Sequence, residues 1–349
     1  MENSSYMDNV MLFLLGSILI STILSRISLI IAPIIGLLDR PESADHKSHT
    51  KPIPLTGGLV LLATLIIMII IGDLWEESDI RIILVCGIII GLFGLIDDLI
   101  SLSPLLKLIG QIFASLLLIY LGIQVNFFSA PEFIFRTGTS IDNLLNLLLT
   151  IIWMVTLTNA FNFIDSSDGL SIGIGGLVSI FFLVISITTG QVVIIYFCTL
   201  LLGICIGLYF FNSFPARLFL GDCGSQTLGF LLASIAIIYT PITGIQSSSW
   251  FVPILIFYVP LLDLSLVIYS RMKRDKKIYK ASKDHTYHRL IERGISVQRS
   301  VLILHGASLF MSIIGYLCLN LSVINANIIF SLTLVLGFFV IIALDKKYK

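Results

Sequence analysis

Five aspartates lie at the ends of three apolar stretches, where their chemistry could serve a shared site. Asp97 and Asp98 close one stretch, Asp165 and Asp168 precede another, and Asp222 precedes a third. Ionisable side chains at membrane depth are rare and usually mark functional sites. Proteins commonly hold Mg²⁺ with one or two carboxylates together with substrate phosphates. If these ends meet, the chain has suitable ligands for a divalent metal and a phosphate-bearing substrate.

The five carboxylates differ in their places on helices and turns, and so in the roles that they could have. Adjacent residues of a helix point ~100° apart, so Asp97 and Asp98 cannot occupy one place, and either can be the catalytic base. The ordinary alternative is a solvated pair at a helix end. Asp168 has an alternative role as the N-cap of the following helix. Asp222 lies in a glycine-flanked turn before an apolar helix, and we predict that it is the metal ligand.

Basic, amide and aromatic residues near these positions are candidates for substrate contacts. The predicted substrate-binding residues are His49, Lys51, Lys107, Asn159, Asn162, Asp168, Phe219 and Asp263. Among them, Phe219 offers a flat apolar wall for a base. Asp263 precedes Arg271 by eight residues, which places it ~12 Å deep on a helix. A basic loop that only fixes topology is the alternative for His49 and Lys51, and a polar contact between helices is the alternative for Asp263.

The segment DHTYHRL contributes His285, His288 and Arg289. Two histidines without a third nearby ligand favour binding of phosphate over a closed zinc site. Arginine binds phosphate through a bidentate fork. These three residues are therefore predicted catalytic residues, together with Asp97, Asp98 and Asp165.

The elements that must position these residues are membrane helices. The chain has 349 residues, of which 57% are hydrophobic and only 12% charged, which is typical of a polytopic membrane protein. We predict an all-α fold in a single domain, 1–349, with about eleven transmembrane helices. Their approximate ranges are 10–36, 57–72, 80–97, 105–122, 141–159, 169–189, 191–211, 223–240, 251–271, 300–320 and 323–344.

The distribution of basic residues predicts the orientation of these spans. All but three of the 21 lysines and arginines fall in alternate loops or the C-terminal tail, and such loops are usually cytoplasmic. The N-terminus is thus expected outside and the C-terminus in the cytoplasm. The predicted cytoplasmic site loops lie near 37–56, 97–107, 159–169, 212–222 and 271–299. The five scattered cysteines are predicted to be small buried residues, without a disulfide framework or a zinc site.

Six motifs in order resemble the polyprenyl-phosphate N-acetylhexosamine-1-phosphate transferase family. They are HTKPIPLTGG (49–58), GLIDDLISLSPLLKLIGQ (94–111), NAFNFIDSSDGL (159–170), NSFPARLFLGDCGS (212–225), PLLD (260–263) and DHTYHRL (284–290). The span count resembles the N-acetylglucosamine branch more than the phospho-MurNAc-pentapeptide branch. Three features depart from the family pattern: Ser166 replaces a glycine, Tyr287 replaces a histidine, and no third acid follows Asp97 and Asp98.

The resemblance implies an activity and roles for these residues. A UDP-activated 2-acetamido sugar would give its sugar-1-phosphate to undecaprenyl phosphate, releasing UMP and starting a cell-surface glycan such as an O-antigen or capsule. Asp222 matches the Mg²⁺ ligand, with Mn²⁺ as an alternative metal, and Asp97 and Asp98 match the catalytic pair. The segment 162–168 and Phe219 resemble the nucleoside pocket, while DHTYHRL resembles the clamp on pyrophosphate and sugar.

The resemblance also implies a bacterial inner-membrane location with the site facing the cytoplasm. It is compatible with a homodimer and gives no nucleic-acid partner. Two other classes remain open from the residues. One is a transporter of an anionic or lipid-linked solute, although its acids would be expected near the bilayer midplane and its halves related by a repeat. The other is a phosphotransferase using CDP-activated donors, whose acids would lie in one compact motif.

Overall fold

The chain forms helices along almost its whole described length. The computed structural model describes residues 2–41, 51–128, 139–239, 250–277 and 284–346. Within these ranges the helices are α1 Glu2–Ile35, α2 Gly57–Ile71, α3 Ser78–Ile100, α4 Pro104–Tyr120, α5 Thr139–Ile164, α6 Leu170–Thr189, α7 Val192–Asn212, α8 Gly221–Ile238, α9 Val252–Ile256, α10 Tyr258–Lys273, α11 Thr286–Ile291, α12 Val297–Cys318 and α13 Val323–Asp345. One short antiparallel ladder pairs β1 (Leu38–Asp39) with β2 (Ile53–Pro54).

The prediction of a nearly all-helical, polytopic membrane protein is confirmed. By length and composition, eight described helices can cross a membrane: α1, α3, α5, α6, α7, α8, α12 and α13. Helices α2 and α4 have 15 and 17 residues, so at ~1.5 Å per residue they are shorter than a ~30 Å hydrocarbon core. The ninth predicted span is divided at Phe257 into α9 and α10. Eleven crossings therefore remain a prediction.

Several site residues lie on helix ends where the sequence predicted loops. Three of the predicted loops are shorter than expected: 97–107, 159–169 and 212–222. Helix α3 includes Asp97 and Asp98, α5 continues beyond Asn162, and α8 already includes Asp222. The α3–α4 turn is short because Asp97 closes it, with Oδ1 accepting the Leu102 amide at 2.6 Å. The site is thus held mainly by regular helices.

Helix α8 is the centre of the bundle. It packs against α2, α3, α5 and α6. In its most apolar window 72% of residues are buried, compared with 22% in α1 and in α13. Because Asp222 stands in the first turn of α8, this packing places it among the ends of the surrounding helices.

The interface between α1 and α7 is built from small residues. A Cβ on Gly203 would come within 2.6 Å of Ser17 Cβ, and one on Gly207 within 2.0 Å of Ser21 Oγ. Membrane helices approach closely through such small side chains. The hydroxyls bond within α1 itself, Ser21 Oγ donating to the Ser17 carbonyl and Ser25 Oγ to the Ser21 carbonyl. The serine hydroxyls of α1 therefore have hydrogen-bond acceptors within their own helix and do not need partners on α7.

Candidate active site

A lysine lies between two of the predicted carboxylates. Lys107 Nζ, on α4, is 2.5 Å from Asp97 Oδ2 on α3 and 2.7 Å from Asp222 Oδ2 on α8. Helix α4 can present this lysine because it begins next to the α3–α4 turn, with Pro104 in its first turn and Ser103 at its N-cap. Three helices thus contribute to one cluster in which a single positive charge meets two negative ones.

Asp98 occupies a different place from Asp97, as adjacent positions on a helix require. Its Oδ1 accepts the backbone amide of Asp222 at 2.9 Å, and its Oδ2 accepts that of Cys223 at 3.0 Å. These amides belong to the first turn of α8, where unpaired N–H groups and the helix dipole favour an anion. Gly221 has φ +68, and a Cβ there would lie 2.6 Å from Asp98 Oδ2. Asp98 therefore fixes the backbone that carries Asp222.

Two amide side chains hold the Asp222 carboxylate from other directions. Asn162 Nδ2 donates to Asp222 Oδ1 at 2.9 Å and also reaches Ser225 Oγ at 3.0 Å. Gln226 Nε2 donates to Asp222 Oδ2 at 3.0 Å. Together with Lys107, these donors engage both oxygens. The orientation of this carboxylate is consequently set by α4, α5 and α8 together.

A chain of buried amides continues from Asp222 into the bundle. Gln111 Nε2 donates to Gln226 Oε1 at 2.9 Å, and Asn159 Nδ2 donates to Gln111 Oε1 at 2.6 Å. Gln111 and Gln226 are buried, and sequence reasoning missed both. A signal was present, because each glutamine follows a charged site residue, Lys107 or Asp222, by four positions. Residues four apart share a helix face.

The turn after α5 carries the two remaining carboxylates. Burial, then the nearby carboxylates of Asp222, Asp98 and Asp168, raise the pKa of Asp165 well above its usual range. Asp168 Oδ2 accepts the backbone amide of Ala216 at 2.9 Å. The N-cap of α6 is Gly169, so the side chain of Asp168 ties two loops together. Asp165 is thus close enough to the other carboxylates for their charges to oppose its own ionisation.

Asp263 orients the histidine segment from within α10. Its Oδ2 lies 2.9 Å from His285 Nδ1, and its Oδ1 accepts the Thr286 amide at 2.6 Å. Because a carboxylate only accepts, Nδ1 of His285 carries the hydrogen and Nε2 remains for other partners. Asp263 was predicted as a substrate-binding residue. Its contacts in the structure are those of a group that orients His285 and starts α11.

Two of the three departures from the family pattern touch each other. Tyr287 Oη donates to the Ser166 carbonyl oxygen at 2.5 Å and lies 2.6 Å from His288 Nε2. The tyrosine has one proton, and the carbonyl can only accept it, so His288 Nε2 donates to Tyr287 Oη. Burial raises the pKa of Tyr287, which keeps the phenol neutral. The tyrosine therefore joins the loop after α5 to the histidine segment.

Arg289 is buried, with an ion pair to α13 and a hydrogen bond to the start of its own segment. Its Nη1 lies 3.1 Å from Asp345 Oδ1 at the end of α13, and its Nε donates to the Asp284 carbonyl at 2.8 Å. The Asp284 carboxylate receives two hydrogen bonds from Arg271, from Nε at 2.8 Å and from Nη2 at 2.9 Å. Binding of phosphate by Arg289 stays a prediction. The contacts described here tie it to the protein itself.

The end of α5 connects the carboxylate cluster to the histidine segment. Asn162 bonds to Asp222, as described above. Phe163 packs edge-on against His285 with ring centroids 5.7 Å apart. Ser166 receives the hydrogen bond of Tyr287. The predicted acidic and histidine motifs, which are separate in sequence, therefore form one continuous region.

The remaining candidates lie at the edge of this region. The backbone amide of Phe219 donates to the Pro54 carbonyl at 2.8 Å, and its own carbonyl accepts the Gly57 amide at 2.9 Å. The side chain of Phe219 is half-buried, and Lys51 is exposed just before β2. His49 lies outside the described residues. Strand β2 thus anchors the loop that leads into α8.

The donor set of the cluster fits a divalent cation held together with substrate phosphate. Within the described ranges, no three His, Cys, Asp or Glu residues are grouped so that they alone could hold a metal ion. Mg²⁺ does not need such a group, since it binds through one or two carboxylates and retains water or phosphate oxygens. Asp97 and Asp222 already share one cation, the Lys107 ammonium. The five cysteines are buried and unpaired, as predicted.

The fold and the site define a polytopic membrane protein with a charged centre where helix ends meet. The model of glycosyl transferase family 4 matches residues 80–240, and relatives align over most of the chain. The protein belongs to this family.

Three relatives illustrate the range of similar proteins. A probable undecaprenyl-phosphate N-acetylglucosaminyl 1-phosphate transferase of Bacillus subtilis is 30% identical, covering 86% of this chain and 81% of the relative. The decaprenyl-phosphate N-acetylglucosaminephosphotransferase of Mycobacterium tuberculosis is 30% identical, with 78% and 73% coverage. The phospho-N-acetylmuramoyl-pentapeptide-transferase of Halalkalibacterium halodurans is 31% identical, with 72% and 78% coverage.

Proposed function

We propose that this protein transfers a sugar-1-phosphate from a UDP-sugar to undecaprenyl phosphate. An oxygen of the lipid phosphate attacks the β-phosphorus of the donor. The bond between this phosphorus and the bridging oxygen breaks, and UMP leaves with that oxygen. The product is a lipid-pyrophosphate-sugar that starts a cell-surface glycan. The relatives described above support this reaction, because their names specify sugar-phosphate transfer to a polyprenyl phosphate.

The observation that carries the proposal is the position of Lys107 between Asp97 and Asp222. A cation site in a bundle of apolar helices suits a reaction between a soluble diphosphate and a lipid phosphate. Charge accumulates on phosphoryl oxygens during such transfers, and preorganised cations stabilise it. Lys107 would contact these oxygens after leaving one of its carboxylate partners.

The two adjacent aspartates would have separate roles. Both oxygens of Asp98 are engaged by the first amides of α8. Asp98 is therefore assigned to holding Asp222 in place. Asp97 accepts the Leu102 amide with Oδ1 and meets the flexible Lys107 side chain with Oδ2. Because the lysine side chain can move away, Asp97 is the better candidate to meet the lipid phosphate and accept a proton from it.

Mg²⁺, or Mn²⁺ in its place, would be held by Asp222 with Asp97 in reach. When bound, the ion would neutralise charge on the diphosphate and orient it. Asn162 and Gln226 fix the direction of the Asp222 carboxylate. The loop after α5 and Phe219 would receive the uridine, and His285 would present Nε2 towards the diphosphate or sugar.

The orientation of the site is also part of the proposal. The excess of lysine and arginine in alternate loops supports a cytoplasmic site, where UDP-sugars are available. A bacterial inner-membrane location agrees with the bacterial relatives. The sugar is proposed to be a 2-acetamido sugar because the names of the relatives specify N-acetylated sugars, and its UDP linkage is part of the proposal. The transporter alternative has no support among these relatives.

A donor panel tests the proposal directly. Purified protein in detergent receives undecaprenyl phosphate, Mg²⁺ and one UDP-sugar at a time, and chromatography follows UMP and the lipid product. We expect UMP only when the lipid acceptor is present. The proposal fails if no UDP-sugar gives UMP, if UMP forms equally without the lipid, or if only CDP-linked donors react.

A further inference from the structure

The last helix of the chain ends in a buried carboxylate. Asp345 is the sole charged residue of α13, and its side chain is 1% exposed. Burying a charge is costly unless it is paired and hydrogen-bonded. The contacts of Asp345 must therefore explain how a charged side chain is tolerated at the buried end of α13.

Three cations from two other segments surround this carboxylate. Oδ1 lies 2.7 Å from Arg274 Nη1 and 3.1 Å from Arg289 Nη1, while Oδ2 lies 2.9 Å from Lys273 Nζ. The partners differ in environment. The side chain of Arg289 is 1% exposed, whereas that of Lys273 is 55% exposed. The pair between Asp345 and Arg289 is thus the one that water screens least.

A second arginine binds the same helix end. Arg293 Nη2 donates to the carbonyl of Ala343 at 2.6 Å and to that of Leu344 at 3.2 Å. The last carbonyls of a helix lack intrahelical partners and carry partial negative charge, so a guanidinium is favourable there. Arg289 and Arg293 together attach the histidine segment to α13.

We propose that Asp345 is a positioning residue for the histidine segment, acting through Arg289. Arg289 holds the Asp284 carbonyl, and Asp284, through its carboxylate, is tied to Arg271 of α10. The backbone that carries His285 and His288 is therefore braced by α13 through Arg289 and by α10 through Arg271. Asp345 lies far outside residues 80–240, the part matched by the family model. The inference rests on the proposed function for its kinetic part only.

The test compares Asp345→Asn with Lys273→Gln, which removes the exposed partner of the same carboxylate. We expect Asp345→Asn to lower kcat at least ~tenfold while the KM for the donor changes less than about threefold, since positioning affects the transition state more than ground-state binding. Lys273→Gln should stay within about twofold, because exposed ion pairs contribute little. Asp345→Glu, which keeps the charge, should recover part of kcat.

Hydrogen exchange gives a readout that does not depend on activity. The amides of Arg289 and Glu292 bond to the carbonyls of His285 and His288, and we expect them to exchange faster in Asp345→Asn but not in Lys273→Gln. Unchanged exchange of α8 shows that the bundle is folded. If wild-type protein has no transferase activity but this exchange pattern appears, the proposed function is wrong and the positioning role of Asp345 is still supported.

A double variant tests whether Asp345 acts through Arg289. Asp345→Asn combined with Arg289→Met should be no slower than Arg289→Met alone, because both substitutions remove the same contact between the two side chains. The proposal is overturned if the two losses multiply, or if Asp345→Asn matches wild type in both kcat and exchange. Should Asp345→Asn fail to fold, Arg289→Lys, which removes the guanidinium contacts to Asp345 and the Asp284 carbonyl, is compared with Lys273→Gln by the same two measurements. Equality of Arg289→Lys with wild type again overturns the proposal.

Discussion

The side chain and the backbone of Asp222 are both fixed by hydrogen bonds from the surrounding helices. Lys107, Asn162 and Gln226 donate to its two oxygens, and Asp98 fixes its backbone amide. If Asp222 holds the proposed Mg²⁺, this network would leave little further ordering of its side chain on binding. Changing Asp222 or one of its donors should therefore affect the reaction much more than it affects the fold.

Asp222→Asn should reduce turnover by ~10³-fold or more, since loss of a metal ligand removes several kcal/mol of transition-state stabilisation. Activity should also require Mg²⁺ or Mn²⁺ and disappear with EDTA. UMP release under saturating substrates measures both effects. Asp79→Asn, at the opposite end of α3, is the matched control and should remain near wild type. An Asp222→Asn variant within about tenfold of wild type would remove the metal role.

Gln226→Leu should lower kcat by about tenfold, because it takes one hydrogen bond from the Asp222 carboxylate and another from the buried Gln111 side chain, which keeps its bond to Asn159. The Mg²⁺ concentration that gives half-maximal rate should rise as well. Gln124→Leu is the control, since Gln124 donates to Asn126 and lies outside this chain of amides. Equal Mg²⁺ dependence in Gln226→Leu and wild type would make the glutamine a purely structural contact between helices.

The end of α5 is the element through which the two halves of the site meet. Within five residues, 162–166, this helix end and the turn after it contact Asp222, His285 and Tyr287. A regular helix end can direct side chains to several neighbours at fixed angles, whereas a loop would need separate anchors. Substitutions on either side of this element should therefore be coupled in their effects on turnover.

Tyr287→Phe should lower turnover by about tenfold, because it removes the hydrogen bonds to Ser166 and His288 but keeps the ring. His288→Ala should lose ~10²-fold if the histidine makes a charge-assisted contact in the transition state. Tyr316→Phe on α12 is the control and should have no effect. Turnover measured at saturating substrates decides the ranking. A larger loss in Tyr287→Phe than in His288→Ala would mean that joining the loops matters more than the histidine.

Sequence patterns predicted the location of the site better than the tasks of its members. The apolar runs and the charge distribution placed Asp97, Lys107 and Asp222 near one another, because helix ends in a membrane are constrained to few levels. The bond from Asp98 to the start of α8 spans 124 positions and depends on the crossing of α3 and α8. No local pattern encodes such a crossing. The same holds for Asp345, whose partners are set by the packing of α10 and α13.

Considered as a whole, the molecule surrounds α8 with helices whose outer faces are apolar. Helices α1 and α13 are the most exposed of the candidate spans, which agrees with a surface in contact with lipid. The charged cluster lies where the C-terminal ends of α3 and α5 meet the N-terminal ends of α4 and α8. Because all five cysteines are buried, the chain offers little background reaction to thiol reagents in the membrane.

Single exposed cysteines should therefore report the orientation of the protein. Lys276→Cys should react in intact cells only with membrane-permeant maleimide, because the loop after α10 is proposed to be cytoplasmic. Glu76→Cys, in the short connection between α2 and α3, should react also with an impermeant reagent. The unsubstituted protein is the control for the buried cysteines. Reaction of Lys276→Cys with the impermeant reagent in sealed cells would reverse the proposed orientation.

The close fit of α1 to α7 has a consequence for biogenesis. Helix α1 leaves the ribosome before α7, and its serine face meets glycines that are synthesised about 180 residues later, roughly ten seconds or more at ~5–20 residues per second. Until then this face must rest against lipid, which its internally bonded hydroxyls tolerate. Chains stalled before Val192 should cross-link from Ser21 to lipid, and longer chains to α7. Helix α1 thus reaches its packing partner late in the assembly of the protein.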